Sequence, residues 1–576
     1  MVARTNSTRR FSRWLLVFVV FGLLSSLSVG ASVAAPSTPG AARAPHGAVI
    51  VIGPAGTDLA SVITAAGGTV DRVMPSVGAV AATLSPVAAA TLSREPGVQI
   101  TPDRLVRLAS KKTAVASFST MAHVADVVDA PQAWKKGATG AGIDVALIDS
   151  GIAEVDALAG PGRVLHGPDL SFDSQTPDRA FVDGFGHGTH MAGIIAGSAI
   201  QEDGFTGIAP SSRLVSVKVA DANGAADVSQ VIAAIDWVVQ HRRSNGLNIR
   251  VLNLSFGTGS DQSYRIDPLA HAAEVAWRNG IVVVTSAGND GEHRVGLTNP
   301  AYNPYVLAVA AVDTGGTMKA SDDVVPNFSS RGDGTRNPDV AAPGVSLASL
   351  RAPGSAIDEA FPSARTGTDY FRGTGTSQAA AVTSGAAAAL LSAYPAATPD
   401  DVKAALSSSA SRLRGVGPEA QGSGMIDVDK ALKSLEKRKA DGPPQKWAPS
   451  EGTGSLEAAR GGTHLVDANT GTALRGEVDI FGRPFDSVRW STAAAAGESW
   501  ADGVWNGTEM AGTDWDSVRW SSVRWSSVRW SATNWAGTDW DSVRWSSVRW
   551  SSVRWSCEQW SSVRWASSGW ASVRWN

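Results

Sequence analysis

Val145-Ala146-Leu147-Ile148-Asp149-Ser150-Gly151 is the stretch that decides the fold. Four apolar residues run without interruption into a carboxylate and then into a turn-forming Ser-Gly pair. A strand with one wet face would alternate polar and apolar positions, whereas an unbroken run belongs to a strand covered on both faces. Leu214 to Val219, Val251 to Leu254 and Ile281 to Val284 are largely apolar in the same way, and helical stretches separate them. Between about Val124 and Lys437 the chain therefore reads as an α/β domain, a parallel sheet in a three-layer arrangement. Groups that do chemistry in such domains gather at the carboxyl ends of strands, which is where Asp149 stands.

Outward from Asp149, Gly186-His187-Gly188-Thr189-His190-Met191-Ala192-Gly193 opens a helix with small residues that let backbone pass close by. Two histidines three apart also fit a metal pair, but no third ligand follows at zinc-peptidase spacing. Ser286-Ala287-Gly288-Asn289-Asp290 sets a side-chain amide just beyond the Ile281 to Val284 strand. Gly373-Thr374-Gly375-Thr376-Ser377-Gln378-Ala379-Ala380-Ala381 leads into an Ala-rich helix. Ser377 is there either an N-cap or a hydroxyl set among free N–H groups at the positive end of the helix dipole. Asp149 alone is equally open, held by turn donors or put to use. The four segments together hold what acyl transfer requires: a nucleophile, a base, an acid to orient the base and donors for an oxyanion.

Asp149, His187, Asn289 and Ser377, in that order and with those flanks, resemble the subtilisin-like serine peptidases, the subtilase family. Gly207-Ile208-Ala209-Pro210, Val251-Leu252-Asn253-Leu254-Ser255-Phe256-Gly257 and Asn337-Pro338-Asp339-Val340-Ala341-Ala342-Pro343-Gly344 are similar to further segments of that family. The resemblance implies a secreted serine endopeptidase acting on proteins and peptides, with Asp149, His187 and Ser377 catalytic and Asn289 an oxyanion donor. It makes Ser255, Phe256 and Gly257, with the Asn223-Gly224 region, backbone edges for an extended substrate. His190 becomes a structural, hydrogen-bonded histidine. The chemistry requires no cofactor. Calcium is common in family loops, but Asp169, Asp173, Asp322, Asp323 and Asp333 form no closed ligand pattern, so no metal site is assigned. Gln378, Ala381 and Val382 stand where the family usually has Met, Pro and His, and none of the three carries the reaction.

The outer segments set compartment and regulation. Arg4, Arg9, Arg10 and Arg13 precede the 11-residue apolar run Trp14 to Leu24 and the small residues Ser32 and Ala34, the pattern of a secretory signal peptide over residues 1–34. The run is well short of the about 20 residues that span a bilayer. Residues 46–110 follow a βαββαβ pattern, and by position this ferredoxin-like α+β module resembles the family's propeptide, a folding template and inhibitor that is the enzyme's own partner. Residues 111–117 read as a cleavable connector. Residues 438–486, rich in Lys, Pro and Gly, read as a linker with a short hairpin between Val466 and Ile480.

Residues 487–576 read as a repeat. Tryptophan falls every fifth residue from Trp515 to Trp575, and Ser-Val-Arg-Trp occurs nine times from Ser487 onward. A five-residue step advances about 500° around an α-helix, so the indoles would spiral instead of forming a stripe. An extended β-solenoid of pentapeptide type is the favoured reading, with a disordered or partner-ordered tail as the other. Its nine Arg face eight Asp and Glu, which weakens a polybasic tether and leaves attachment to the cell envelope or a polymer surface through the indoles. Over the whole chain, 50 basic and 53 acidic side chains give a net charge of −3, which removes the electrostatic case for nucleic acid. The single cysteine, Cys557, lies in the repeat, so no intrachain disulfide forms and the α/β domain has no thiol nucleophile. A second function class stays open beside the secreted zymogen: a non-catalytic envelope-binding protein that uses the subtilase-like domain as a scaffold.

Overall fold

A computed structural model describes residues 47–102, 118–437, 445–509 and 520–522, with breaks at 55–56, 75–78, 177, 199–203, 292–295, 463, 468–471 and 502–503. The signal peptide read over 1–34, the connector read over 111–117 and the repeat from 523 onward lie outside the described residues. The chain forms two compact units, divided after Arg104.

The first unit runs β1 Gly47–Ile52, helix Leu59–Ala65, β2 Thr69–Met74, β3 Ala79–Leu84, helix Pro86–Leu92 and β4 Gln99–Pro102. Its sheet has the order β2-β3-β1-β4 with every pair antiparallel. Asp58 and Ser85 start the two helices by accepting the N–H groups of Ser61 and Ala88, and Pro86 takes the first helical position, where its missing N–H costs nothing. Val49, Val51, Ile63, Val80, Leu84 and Leu92 close the core between sheet and helices.

The second unit is built on seven strands: β5 Asp144–Asp149, β6 Val164–Asp169, β7 Arg213–Lys218, β8 Ile249–Leu254, β9 Val282–Ser286, β10 Leu307–Val312 and β11 Val340–Pro343. They form one parallel sheet in the order β11-β10-β9-β8-β5-β7-β6. Strand β5 lies inside the sheet between β7 and β8, and all six of its residues are buried. Asp144, at its polar end, is buried against the Arg213 guanidinium, with two contacts of 2.6 Å. The helices His187–Ala196 and Thr376–Ala393 pack together on one face of the sheet, and Val228–His241 and Pro268–Arg278 pack together on the other. That double cover is why the strand sequences carry apolar runs and no alternation.

Where described, residues 438–486 are not a linker. Leu456, Leu465, Leu474, Ile480 and Phe485 are buried in the same core as the sheet. These apolar residues are scattered without a period, because they fill grooves in a finished domain and build no core of their own. The Leu456–Arg460 helix packs on the Val228–His241 and Pro268–Arg278 helices. Val466 pairs antiparallel with Ala473, and Val466–Asp467 pairs antiparallel with Trp520–Ser522.

The first Ser-Val-Arg-Trp unit also departs from the extended reading: it opens the Ser487–Ala496 helix. Asp486 caps that helix by accepting the N–H groups of Val488 and Arg489. Trp490, Trp500 and Trp505 are buried. The indole N–H groups of Trp490 and Trp505 both donate to Asp236 Oδ2 at 2.8 Å, and that of Trp500 to the Ala233 carbonyl at 2.7 Å. A tertiary socket thus overrides the weak local preference of the motif.

Candidate active site

Four chain segments meet at the carboxyl edge of the sheet. The Asp149 carboxylate, at the end of β5, accepts the N–H of Ser150 at 2.8 Å. His187, the first residue of the His187–Ala196 helix, brings Nδ1 to 2.7 and 2.9 Å from the two Asp149 oxygens. Both side chains are buried. Residue 188 has to be glycine, since a Cβ there would run into the Gly151 carbonyl, so the loop after Asp149 lies directly against the helix start.

Asp183 holds this corner together and was not singled out from the sequence. Fully buried, it accepts Ser150 Oγ at 2.8 Å, the N–H groups of Gly186 and Thr189 at 2.6 and 2.8 Å, and Thr189 Oγ1 at 2.6 Å. It therefore joins the residue after Asp149 to the residues on both sides of His187. Burial pushes its carboxyl up, against the pull of those four donors. The signal for it was an acid four residues before His187 in a glycine-rich turn.

Ser377 is the second residue of the Thr376–Ala393 helix, which packs on the helix that His187 begins. Its hydroxyl donates to the Ser255 carbonyl at 3.3 Å, and Ser255 Oγ returns a bond of 3.3 Å to the Ser377 carbonyl. The Ser255-Phe256-Gly257 segment that follows β8 is thereby tied to the serine. Asn289, three residues past β9, turns its side-chain oxygen to Thr376, accepting the N–H and Oγ1 at 2.9 Å each. Its Nδ2 is buried and has no hydrogen-bond partner among the described residues. A buried donor without a partner calls for an explanation.

His190 Nε2–H donates to the Phe371 carbonyl at 3.0 Å, and burial, then the neighbouring His187, pushes its pKa down to about 3. Gln378 is fully buried, and neither its Nε2 nor its Oε1 has a partner among the described residues. Of the acids weighed for calcium, Asp169 accepts from Ser171 and Phe181, Asp173 pairs with the buried Lys218 at 2.8 Å, and Asp333 accepts the N–H groups of Thr335 and Arg336. No group of three or more His, Cys, Asp or Glu among the described residues could hold a metal ion.

Residues 140–439 match the model of the subtilase family. The serine protease AprX of Bacillus subtilis strain 168 is 35% identical over 302 residues, covering 51% of this chain and 67% of that protein. The thermostable alkaline protease of Halalkalibacterium halodurans is 32% identical over 346 residues, covering 60% and 83%. Subtilisin E of Bacillus subtilis strain 168 is 32% identical over 376 residues, covering 64% and 84%.

Proposed function

The chain belongs to the subtilase family and is a serine endopeptidase, and from that premise we propose that Asp149, His187 and Ser377 form its catalytic triad. The observation that carries the proposal is the buried His187 ring, with Nδ1 held 2.7 and 2.9 Å from the two oxygens of Asp149. Held so, the imidazole presents Nε2 as the base. His187 takes the proton from Ser377 Oγ as that oxygen attacks a peptide carbonyl, then returns it to the leaving amine; Asp149 fixes the tautomer and stabilises the imidazolium without being protonated itself. The Asn289 amide, with no partner among the described residues, and the N–H of Ser377 at the start of its helix receive the oxyanion. Water then hydrolyses the acyl-enzyme by the same proton path.

Substrates are proteins and peptides, lying in extended form against Ser255, Phe256 and Gly257 on one side and the Asn223-Gly224 region on the other. The enzyme is exported behind the 1–34 signal, and the βαββαβ unit is its propeptide, removed by self-cleavage between Ala109 and Val124. The indoles of the repeat hold the mature enzyme at the cell envelope. None of the helices among the described residues is long and apolar enough to cross a membrane. The triad is tested with Ser377→Ala, His187→Ala and Asp149→Asn: each is expected to remove at least about 10³-fold of the turnover of a peptide substrate while the fold is retained. Near-parental turnover in Ser377→Ala sinks the assignment.

A further inference from the structure

Residues 445–486 form a strap across the peptidase unit, and two consecutive residues of it, Ala459 and Arg460, tie together the two chain segments proposed as substrate edges. The first segment, Ser255-Phe256-Gly257, continues into Thr258, whose buried hydroxyl donates to the Ala459 carbonyl at 2.6 Å. The second segment, Asn223-Gly224, runs on to Asp227, the N-cap of the Val228–His241 helix. The Arg460 guanidinium, fully buried, meets both Asp227 oxygens, at 2.7 and 3.1 Å. Burial alone would raise the Asp227 carboxyl; Arg460 above all holds it below the usual carboxylate range.

The rest of the strap reinforces the same place. Ser455 and Gln262 exchange two bonds, 2.8 and 3.1 Å, and the Gly454 N–H donates to the Ile266 carbonyl. Gly461, at φ 59°, lies so close to the Gly259–Ser260 peptide that a Cβ would sit 2.6 Å from the Gly259 carbonyl carbon. Arg460 also donates to the Gly476 and Val478 carbonyls, and the Ile480 N–H to Ser229 Oγ, so the strap itself is fastened beyond the helix end.

From this we infer that the strap is a specificity-determining part of the peptidase, with Thr258, Ala459 and Arg460 as positioning residues that hold the two substrate edges at a fixed separation. The proposal rests on the reading of Asp149, His187 and Ser377 as the catalytic set. An extended peptide bound between two edges gains most when both are fixed before it arrives, because the ordering cost is then met in folding and not in binding. A substrate that reaches only the serine and its nearest pocket does not sense the separation. The strap should therefore act on substrate length: it raises the preference for long extended peptides over short ones.

The test uses the full chain, with active sites counted by titration with a serine-directed phosphonate; titration of the parent reports on the catalytic reading by itself. Thr258→Val keeps the shape and removes the bond to Ala459. Per titrated site, kcat/KM toward a tetrapeptide anilide is expected to fall about 3- to 10-fold, the range for one lost hydrogen bond, through a higher KM. Hydrolysis of a single-residue ester should stay within about twofold, since only contacts near the serine are used, and Thr258→Ser should restore the parental ratio. Arg460→Lys, which keeps the charge and loses the two-pronged contact with Asp227, should show the same split. Equal loss on both substrates, or an unchanged tetrapeptide value beside a lowered melting temperature, overturns the proposal, because either result makes the strap merely structural.

Discussion

Asn289 gives its side-chain oxygen to Thr376 and keeps a buried amide with no partner among the described residues. If that amide receives the oxyanion, Asn289→Ala should lower kcat by about 10²- to 10³-fold with little change in KM, the loss typical of removing one such donor, subtilisin's own among them. Steady-state kinetics on one peptide anilide decide it, and a change confined to KM would count against the role. Gln378 presents the opposite case, a buried amide next to the serine with neither end satisfied among the described residues. Gln378→Met, of similar volume, should stabilise the enzyme by about 1–2 kcal/mol, because an unmet polar group is removed from the interior. Urea unfolding of the Ser377→Ala background measures it free of self-digestion. At this scale the sequence was most legible where chemistry forces residue type: an acid at a strand end, a histidine and a serine at helix starts, an amide after a strand. Asp183 was missed because a lone acid in a glycine-rich turn looks like any solvated loop carboxylate until its four donors are seen.

Among the elements, β5 declared itself because a doubly covered strand has no wet face to alternate with, and the buried parallel sheet follows from that physics. The strap did not. Its helix is only five residues long, Leu456–Arg460, and its apolar residues dock singly on helices laid down more than 150 residues earlier. Local sequence carries no trace of such an arrangement, and the Pro, Gly and Lys content reads as a linker. Asp236 gives the socket of Trp490 and Trp505, which follow the strap, a pH signature. Burial, only partly offset by the indoles of Trp505 and Trp490, pushes its carboxyl up to about 6 from 3.8. The folded state thus holds a proton that the unfolded chain releases near pH 4. The stabilisation from that proton is full below pH 4 and is lost as pH rises through 6. Asp236→Asn keeps an acceptor for both indoles without the charge. It should match the parent at pH 4 and exceed it at pH 8 by up to roughly 3 kcal/mol, the size of a shift of about two units in a buried group. Equal urea midpoints at pH 8 would argue that the socket holds its carboxylate charged at no cost.

For the whole molecule, the reading is an exported zymogen whose peptidase unit extends past the residues that match the family model. Deleting residues 523–576 should leave kcat/KM unchanged while moving enzyme from the envelope fraction to the medium; an unchanged distribution speaks against attachment through the repeat. Deletion from residue 445 onward should instead cost the peptidase its stability, since Leu456, Ile480, Trp490 and Trp505 leave their buried places in its core. Self-processing predicts that Ser377→Ala, made in a host without other proteases, keeps the mass of the uncleaved proform. Whether Ser377 is a nucleophile activated by His187 is decided by irreversible labelling with a serine-directed phosphonate. One label per chain is expected, on Ser377 by peptide mapping, and it should be lost in His187→Ala. A parent chain that takes no label, or a His187→Ala variant labelled as fast as the parent, would contradict it.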